Sequence, residues 1–179
     1  MKRAPDPISK EEVRAILDAA AGNEEDYLFL RLLAKTGRRI GELYSLHVKD
    51  LALDKREAYA PVEKKSRKQS RVMFLDADTC LLLQRYITAN NLGKNDRLWR
   101  KGYRALQNVP KRYAKKVGIE KPVMAHSFRH YVITSLRKQG WGWEDIAKIT
   151  GHEVMSVRYY DHTDAYLMEG DFRKAVVDL

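Results

Sequence analysis

The sequence predicts a mostly helical domain with one small antiparallel β-sheet, an α+β fold. Two observations carry this. Apolar residues recur at helical spacing in segments along most of the chain. Only residues 51–75 change character, with two short β-tending runs, Ala58 to Val62 and Arg71 to Leu75, on either side of a polar, basic turn. At 179 residues the chain has the size of one domain with a sizeable core, and it carries no internal repeat or low-complexity tract.

Each element has a local reason. After a proline-containing lead-in over residues 1–8, Ser9-Lys10-Glu11-Glu12 is a capping box, and Val13, Ile16, Leu17 and Ala20 follow on one helical face. Gly22-Asn23 stops that helix. Glu24, Glu25 and Asp26 place acid at the positive start of the next, whose apolar residues run from Tyr27 to Leu33 before Gly37 ends it. Arg39 to Leu46 is a short helix. A small hairpin or three-stranded sheet follows, with Glu63 to Ser70 expected as its turn. Asp76 or Asp78 caps a helix through Leu81, Leu82, Leu83, Tyr86 and Ile87 that stops at Asn90-Asn91-Leu92-Gly93. Residues 94–116 hold nine Lys or Arg against one acid, Asp96, with Trp99, Tyr103 and Tyr113 interleaved. Gly118 and Pro122 mark a loop. Ser127 opens a helix to about Gln139, Glu144 to Ile149 forms another, and Asp164 to Asp178 reads as a terminal helix.

Composition narrows the function classes. The net charge is +10, with 32% of residues charged, and such a balance favours a polyanionic partner, nucleic acid first. The lone Cys80 excludes an internal disulfide framework and fits a reducing compartment; its apolar neighbours Leu81, Leu82 and Leu83 suggest a buried thiol. No apolar run approaches the roughly 20 residues of a membrane span, and Met1 to Pro7 lacks the apolar core of a signal peptide. A cytoplasmic, nucleoid-associated protein is the expectation.

The residues with chemistry are spaced along the chain. Arg39, with Glu42 three positions on, follows a helix-ending glycine. His126 and Arg129 share a helix start, with His130 beside them. Gly151-His152 precedes Tyr159-Tyr160-Asp161-His162. Lys64, Lys65 and Lys68 lie in the hairpin. Forked guanidinium groups suit phosphate oxygens, histidines move protons, and a tyrosine among cations can be a nucleophile. Taken singly, each has a bland alternative: a surface ion pair, a packed tyrosine, a solvated basic loop. A zinc site on His126 and His130 is disfavoured, because no acidic general base lies between them.

Order and spacing decide between these alternatives. Thr36-Gly37-Arg38-Arg39-Ile40-Gly41-Glu42-Leu43 resembles the first arginine box of the tyrosine recombinase (phage-type integrase) family. His126-Ser127-Phe128-Arg129-His130 resembles its His-x-x-Arg-His box, Gly151-His152 its Gly-His step, and Tyr160-Asp161-His162 its Tyr-x-His ending. The resemblance covers residues 9 to about 165, in the family's order. It implies a catalytic domain in which Arg39 and Arg129 clamp a scissile DNA phosphate and Tyr160 attacks it, giving a 3′-phosphotyrosyl link and a free 5′-hydroxyl. It further implies that Lys65 protonates the leaving oxygen, His126 manages protons, His152 hydrogen-bonds the phosphate and Glu42 orients Arg39. No metal and no cofactor are implied. The implied setting is DNA recombination or integration by a mobile element, virus or plasmid.

Arg38 doubles the first arginine, but Ile40 and Glu42 set the register on Arg39. The step from His152 to Tyr160 is one residue shorter than the family's common spacing, so Tyr159 stays an alternative nucleophile, and Lys64 and Lys68 stay alternatives to Lys65. The partners implied are double-stranded DNA and further copies of the chain, as a dimer or tetramer on DNA, with no membrane. Residues 1–179 are expected to form a single catalytic domain, without the family's usual N-terminal core-binding domain, and residues 164–179 to dock on a neighbouring subunit. Two other functions share much of the pattern: a non-catalytic or clamp-lacking DNA-binding module, and a DNA-relaxing enzyme like the type IB topoisomerases.

Overall fold

Helix α2 (Glu24–Thr36) occupies the centre because it is apolar on nearly every side. Leu28, Phe29, Leu30, Leu32 and Leu33 are all buried. The computed structural model describes residues 7–64 and 67–151, with the backbone alone described for 62–64 and 67–71. Around α2 pack α1 (Lys10–Ala20), α3 (Ile40–Tyr44), α4 (Ala77–Ala89), α5 (Tyr103–Lys116) and α6 (Ala125–Lys138). Helix α7 (Trp143–Thr150) folds back on α6. The strands are β1 (Leu51–Ala52), β2 (Glu57–Lys64) and β3 (Arg67–Phe74), antiparallel in the order β1-β2-β3. Among the described residues no helix is long and apolar enough to cross a membrane.

Several expected starts and stops hold. The Ser9–Glu12 capping box is formed in both directions, at 3.1 and 2.7 Å. Gly37 ends α2 in the left-handed region, at φ 59°. Asp76 caps α4 through the Thr79 N–H at 2.8 Å, and Arg31 of α2 bonds the same carboxylate at 3.0 Å. That guanidinium and the cap hold the Asp76 carboxyl far below the usual range, against the opposing effect of burial. Cys80 is buried, and burial pushes its thiol up.

Two expectations need correction, and one helix was not anticipated. The hairpin turn is shorter than residues 63–70: the ladder continues through Glu63↔Lys68 and Lys64↔Arg67, so Lys64 and Lys68 stand on strands. The basic segment 94–116 contains a helix, α5. Its Leu106, Val109, Pro110, Tyr113 and Ala114 follow the 3.6-residue period and are buried, although Pro110, a helix breaker by sequence, lies inside it. Its aromatics are mostly core: the indole N–H of Trp99 donates to Leu43 O at 2.6 Å, and its ring meets Phe29 edge-on at 5.4 Å. Two of its cations, Lys101 and Arg112, pair with the buried Asp26. Finally, α6 begins at Ala125 instead of Ser127; Ser127 sits in its first turn, where the hydroxyl accepts the Met124 N–H at 3.1 Å. The terminal helix expected over 164–178 lies outside the described residues.

One satellite core positions the far end of the site. Ile133 of α6 packs on Ile146 and Ala147 of α7, flanked by Leu136 and Trp143. Arg137 lies 4.2 Å over the Trp143 ring and donates to Trp141 O at 2.8 Å, which fixes the α6–α7 turn.

Candidate active site

The site forms where three chain segments meet: the left-handed turn after α2, the start of α6 and the end of α7. Gly37 is required at this junction twice over. Its φ of 59° suits glycine, and a Cβ there would lie 3.0 Å from Cβ of Val132 on α6. The turn delivers two consecutive arginines to different environments. Arg38 points inward and is 1% exposed; the side chain of Arg39 is 50% exposed.

Arg129 comes from the buried face of α6 and is 2% exposed. Its Nη1 donates to Gly37 O at 2.8 Å and to Thr150 O at 2.7 Å. Arg39 Nη1 donates to Gly151 O at 2.9 Å. The two arginines therefore bind adjacent carbonyls at the C-terminal end of α7, where the helix dipole favours cations. Gly151 itself is left-handed, at φ 72°.

Glu42, buried on α3, serves both arginines of the turn. Its Oε2 accepts the Arg39 backbone N–H at 3.3 Å and lies 3.9 Å from Arg38 Nη1; its Oε1 lies 3.6 Å from Arg39 Nη1. Arg38 Nη2 also donates to Val72 O on β3. Arg38, Arg39 and Arg129, with Ile40, Ala125 and His126, line one cavity of about 270 Å³. A concave site lined by three arginines suits an anion of phosphate type.

His126 stands in the first turn of α6 at the mouth of that cavity, its ring edge-on to His130 at 4.8 Å. Desolvation, with the charges of Arg129 and Arg39, holds it below the ordinary histidine range. Burial, then His126 and Arg129, lowers His130 to about 4. Both rings are therefore neutral at pH 7, the form in which an imidazole can accept a proton.

The expected residues Arg39, Glu42, His126 and Arg129 are thus brought together. Lys65, His152, Tyr159 and Tyr160 lie outside the described residues, and for Lys64 and Lys68 only the backbone is described. Reading the sequence missed the buried position of Arg38, because doubled arginines carry no burial signal of their own.

The profile of the phage integrase family matches residues 7–166. The chain belongs to the phage integrase family. This integrase-family domain is 27% identical over 177 residues to a tyrosine recombinase of Pseudothermotoga lettingae, covering 97% of the chain and 59% of that relative. It is 30% identical over 183 residues to tyrosine recombinase XerA of Saccharolobus solfataricus, covering 97% of the chain and 61% of that protein. Among solved structures, XerA recombinase superposes with a TM-score of 0.81 at 25% identity, over 96% of the domain and 65% of that chain. XerH, in a post-cleavage complex with its difH substrate, gives 0.77 at 22% identity over 93% and 52% of the two chains. The integrase-family domain thus spans about 60% of the length of the curated relatives it matches, and its fold is that of a tyrosine recombinase catalytic domain.

Proposed function

We propose that this chain is the catalytic domain of a site-specific DNA recombinase or integrase that cuts and rejoins strands through a tyrosine. The observation that carries the reading is the convergence of Arg39 and Arg129 on one cavity with His126. Both guanidinium groups are held by backbone carbonyls before any substrate arrives, which is the preorganisation that stabilises charge developing on a phosphoryl group.

In the proposed reaction the Tyr160 oxygen attacks phosphorus. A 3′-phosphotyrosyl bond forms, the P–O5′ bond breaks, and the electron pair stays on O5′. His126 takes the phenol proton, and the hairpin lysine, Lys65, supplies a proton to O5′. His152 donates to a phosphate oxygen. Attack by a different 5′-hydroxyl reverses the steps and exchanges strands. The substrate is double-stranded DNA, acted on by a dimer or tetramer of the chain.

The test is covalent trapping on a pool of nicked duplexes with randomised sequence around the nick, so that a cleaved fragment diffuses away. Wild type is expected to give a protein–DNA adduct on a denaturing gel; Tyr159→Phe keeps it and Tyr160→Phe abolishes it. Adduct loss in Tyr159→Phe alone reassigns the nucleophile, and no adduct in wild type overturns the reading in favour of a binding module. Relaxation of supercoiled plasmid without exchange between two sites selects the topoisomerase-like alternative.

A further inference from the structure

We propose that the exposed face of α5 reads DNA sequence, with Arg104 and Asn108 as its specificity-determining residues; for the register it predicts, the proposal rests on the recombinase reading above. One face of α5 is spent on packing, through Leu106, Val109, Pro110, Tyr113 and Ala114. At about 100° per residue, Arg104, Asn108, Lys111 and Lys115 fall within about 60° of one another on the opposite face. All four are exposed. Among the described residues the three cations of this stripe enter no ion pair, whereas Arg112, to one side, is tied to Asp26, and Lys116 donates to Ala19 O at 3.1 Å. Helix α5 holds no Asp or Glu, while α1, α4 and α7 each carry acid. A face that serves solubility alone mixes both signs; this one offers only donors and one amide.

The stripe fits a duplex better than a single strand. A single strand is held by stacking its bases on open rings, and the rings of this segment are already committed. Trp99 and Tyr113 are buried, and Tyr103 stands edge-on to Tyr44 at 5.4 Å, with Arg97 over the Tyr44 ring at 4.9 Å. A helix about 10–12 Å across enters a major groove about 12 Å wide. There an arginine pairs with guanine N7 and O6, and an asparagine with adenine N6 and N7. Arg104 and Asn108 lie about 6 Å apart along the axis, so they meet base pairs about two steps apart. Lys111 and Lys115, further along, meet phosphates, which fix position without reading sequence.

The fold also sets where those base pairs lie. Arg39, a wall of the cavity, is the N-cap of α3; Tyr44 is the last residue of α3 and meets Tyr103, the neighbour of Arg104. Five helical residues cover about 7.5 Å, and with the two rings the span from Arg39 to the start of α5 is on the order of 20 Å, or about six base pairs. The lead-in to α5 is fixed a second time: Glu25 Oε1 accepts the Arg100 and Lys101 N–H groups at 2.7 and 2.8 Å. The guanine and adenine are therefore expected within about six base pairs of the cleaved phosphate, on one side of it.

The test is sequencing of the DNA that each protein retains from duplexes randomised on both sides of a nick, collected separately as covalent adduct and as noncovalent complex in a gel shift. Wild type is expected to favour one guanine and one adenine, each about 5- to 150-fold over the other bases. Arg104→Ala is expected to erase the guanine preference and keep the adenine, and Asn108→Ala the reverse. Arg104→Lys, which keeps the charge but loses the fork, is expected to weaken the guanine preference as well. Lys111→Ala keeps both preferences and lowers the slope of log affinity against log salt by about 0.9. Arg85→Ala, exposed on α4, changes neither. A guanine preference that survives Arg104→Ala overturns the proposal, as does a wild-type pool without base preference. Adduct without base preference overturns it while the recombinase reading stands. An Arg104-dependent preference in the gel-shift pool with no adduct from wild type overturns the recombinase reading and leaves sequence reading by α5 in place.

Discussion

His130 illustrates what a single residue contributes beyond its own side chain. Its ring meets His126 edge-on and is kept neutral down to a pH of about 4 by burial and by the cations nearby. In the unfolded chain it would protonate near 6.5. Between those values the unfolded state binds more protons than the folded one, so stability is complete above pH 6.5 and declines as pH falls toward 4. The melting temperature is expected to drop over that window, and His130→Phe, which cannot protonate, is expected to flatten the decline; an unchanged slope would assign the effect to other groups. His126 shifts in the same direction, so its proton-accepting form persists to lower pH than in a free histidine. Both positions were legible in the sequence as a motif. Their electrostatics were not, because desolvation depends on what α6 packs against.

At the scale of elements, the decisive piece is the junction between α2 and α6. Helix ends, caps and the apolar period of α2 could all be read locally, since Ser9, Asn23, Gly37, Asp76 and Gly151 signal through their own backbone or side-chain chemistry. The second role of Gly37 could not be read so. Its Cα hydrogen faces Val132, 95 positions away in sequence, leaving no room for a methyl group. Gly37→Ala is expected to cost about 1–2 kcal/mol from the left-handed backbone alone, or about 2–8 °C in melting temperature at this size. It should also slow adduct formation, because Gly37 O is one of the two carbonyls that orient Arg129. A variant with wild-type melting and cleavage would show that the turn relaxes freely. Helix α5 was missed for the opposite reason: the period was present, but Pro110 and five cations masked it, and long-range partners such as Asp26 stabilise what local propensity disfavours.

For the molecule as a whole, the fold gathers cations selectively. The net charge of +10 suggested a surface given over to a polyanion, yet Lys101 and Arg112 are tied to Asp26, Arg31 to Asp76, and Arg38 and Arg129 are inside. Net charge therefore overstates the area open to a polyanion, and among the described residues three arginines gather at the cavity beneath the two helix ends. That cavity has a thermodynamic property of its own. Arg39 and Arg129 would hold a phosphate with the same guanidinium groups that now hold Gly151 O and Thr150 O, the last described residues before His152. Occupancy of the cavity and order at the end of α7 are thus linked equilibria, and linkage is reciprocal. Vanadate, a phosphate mimic, is expected to change amide hydrogen exchange at Thr150 and Gly151 while leaving α1 untouched, and Arg39→Ala should speed exchange there even without anion. An α7 end indifferent to both would uncouple them. If they are coupled, a phosphate in the cavity acts on the chain as an effector, adjusting the end of α7, which the proposed nucleophile follows in sequence.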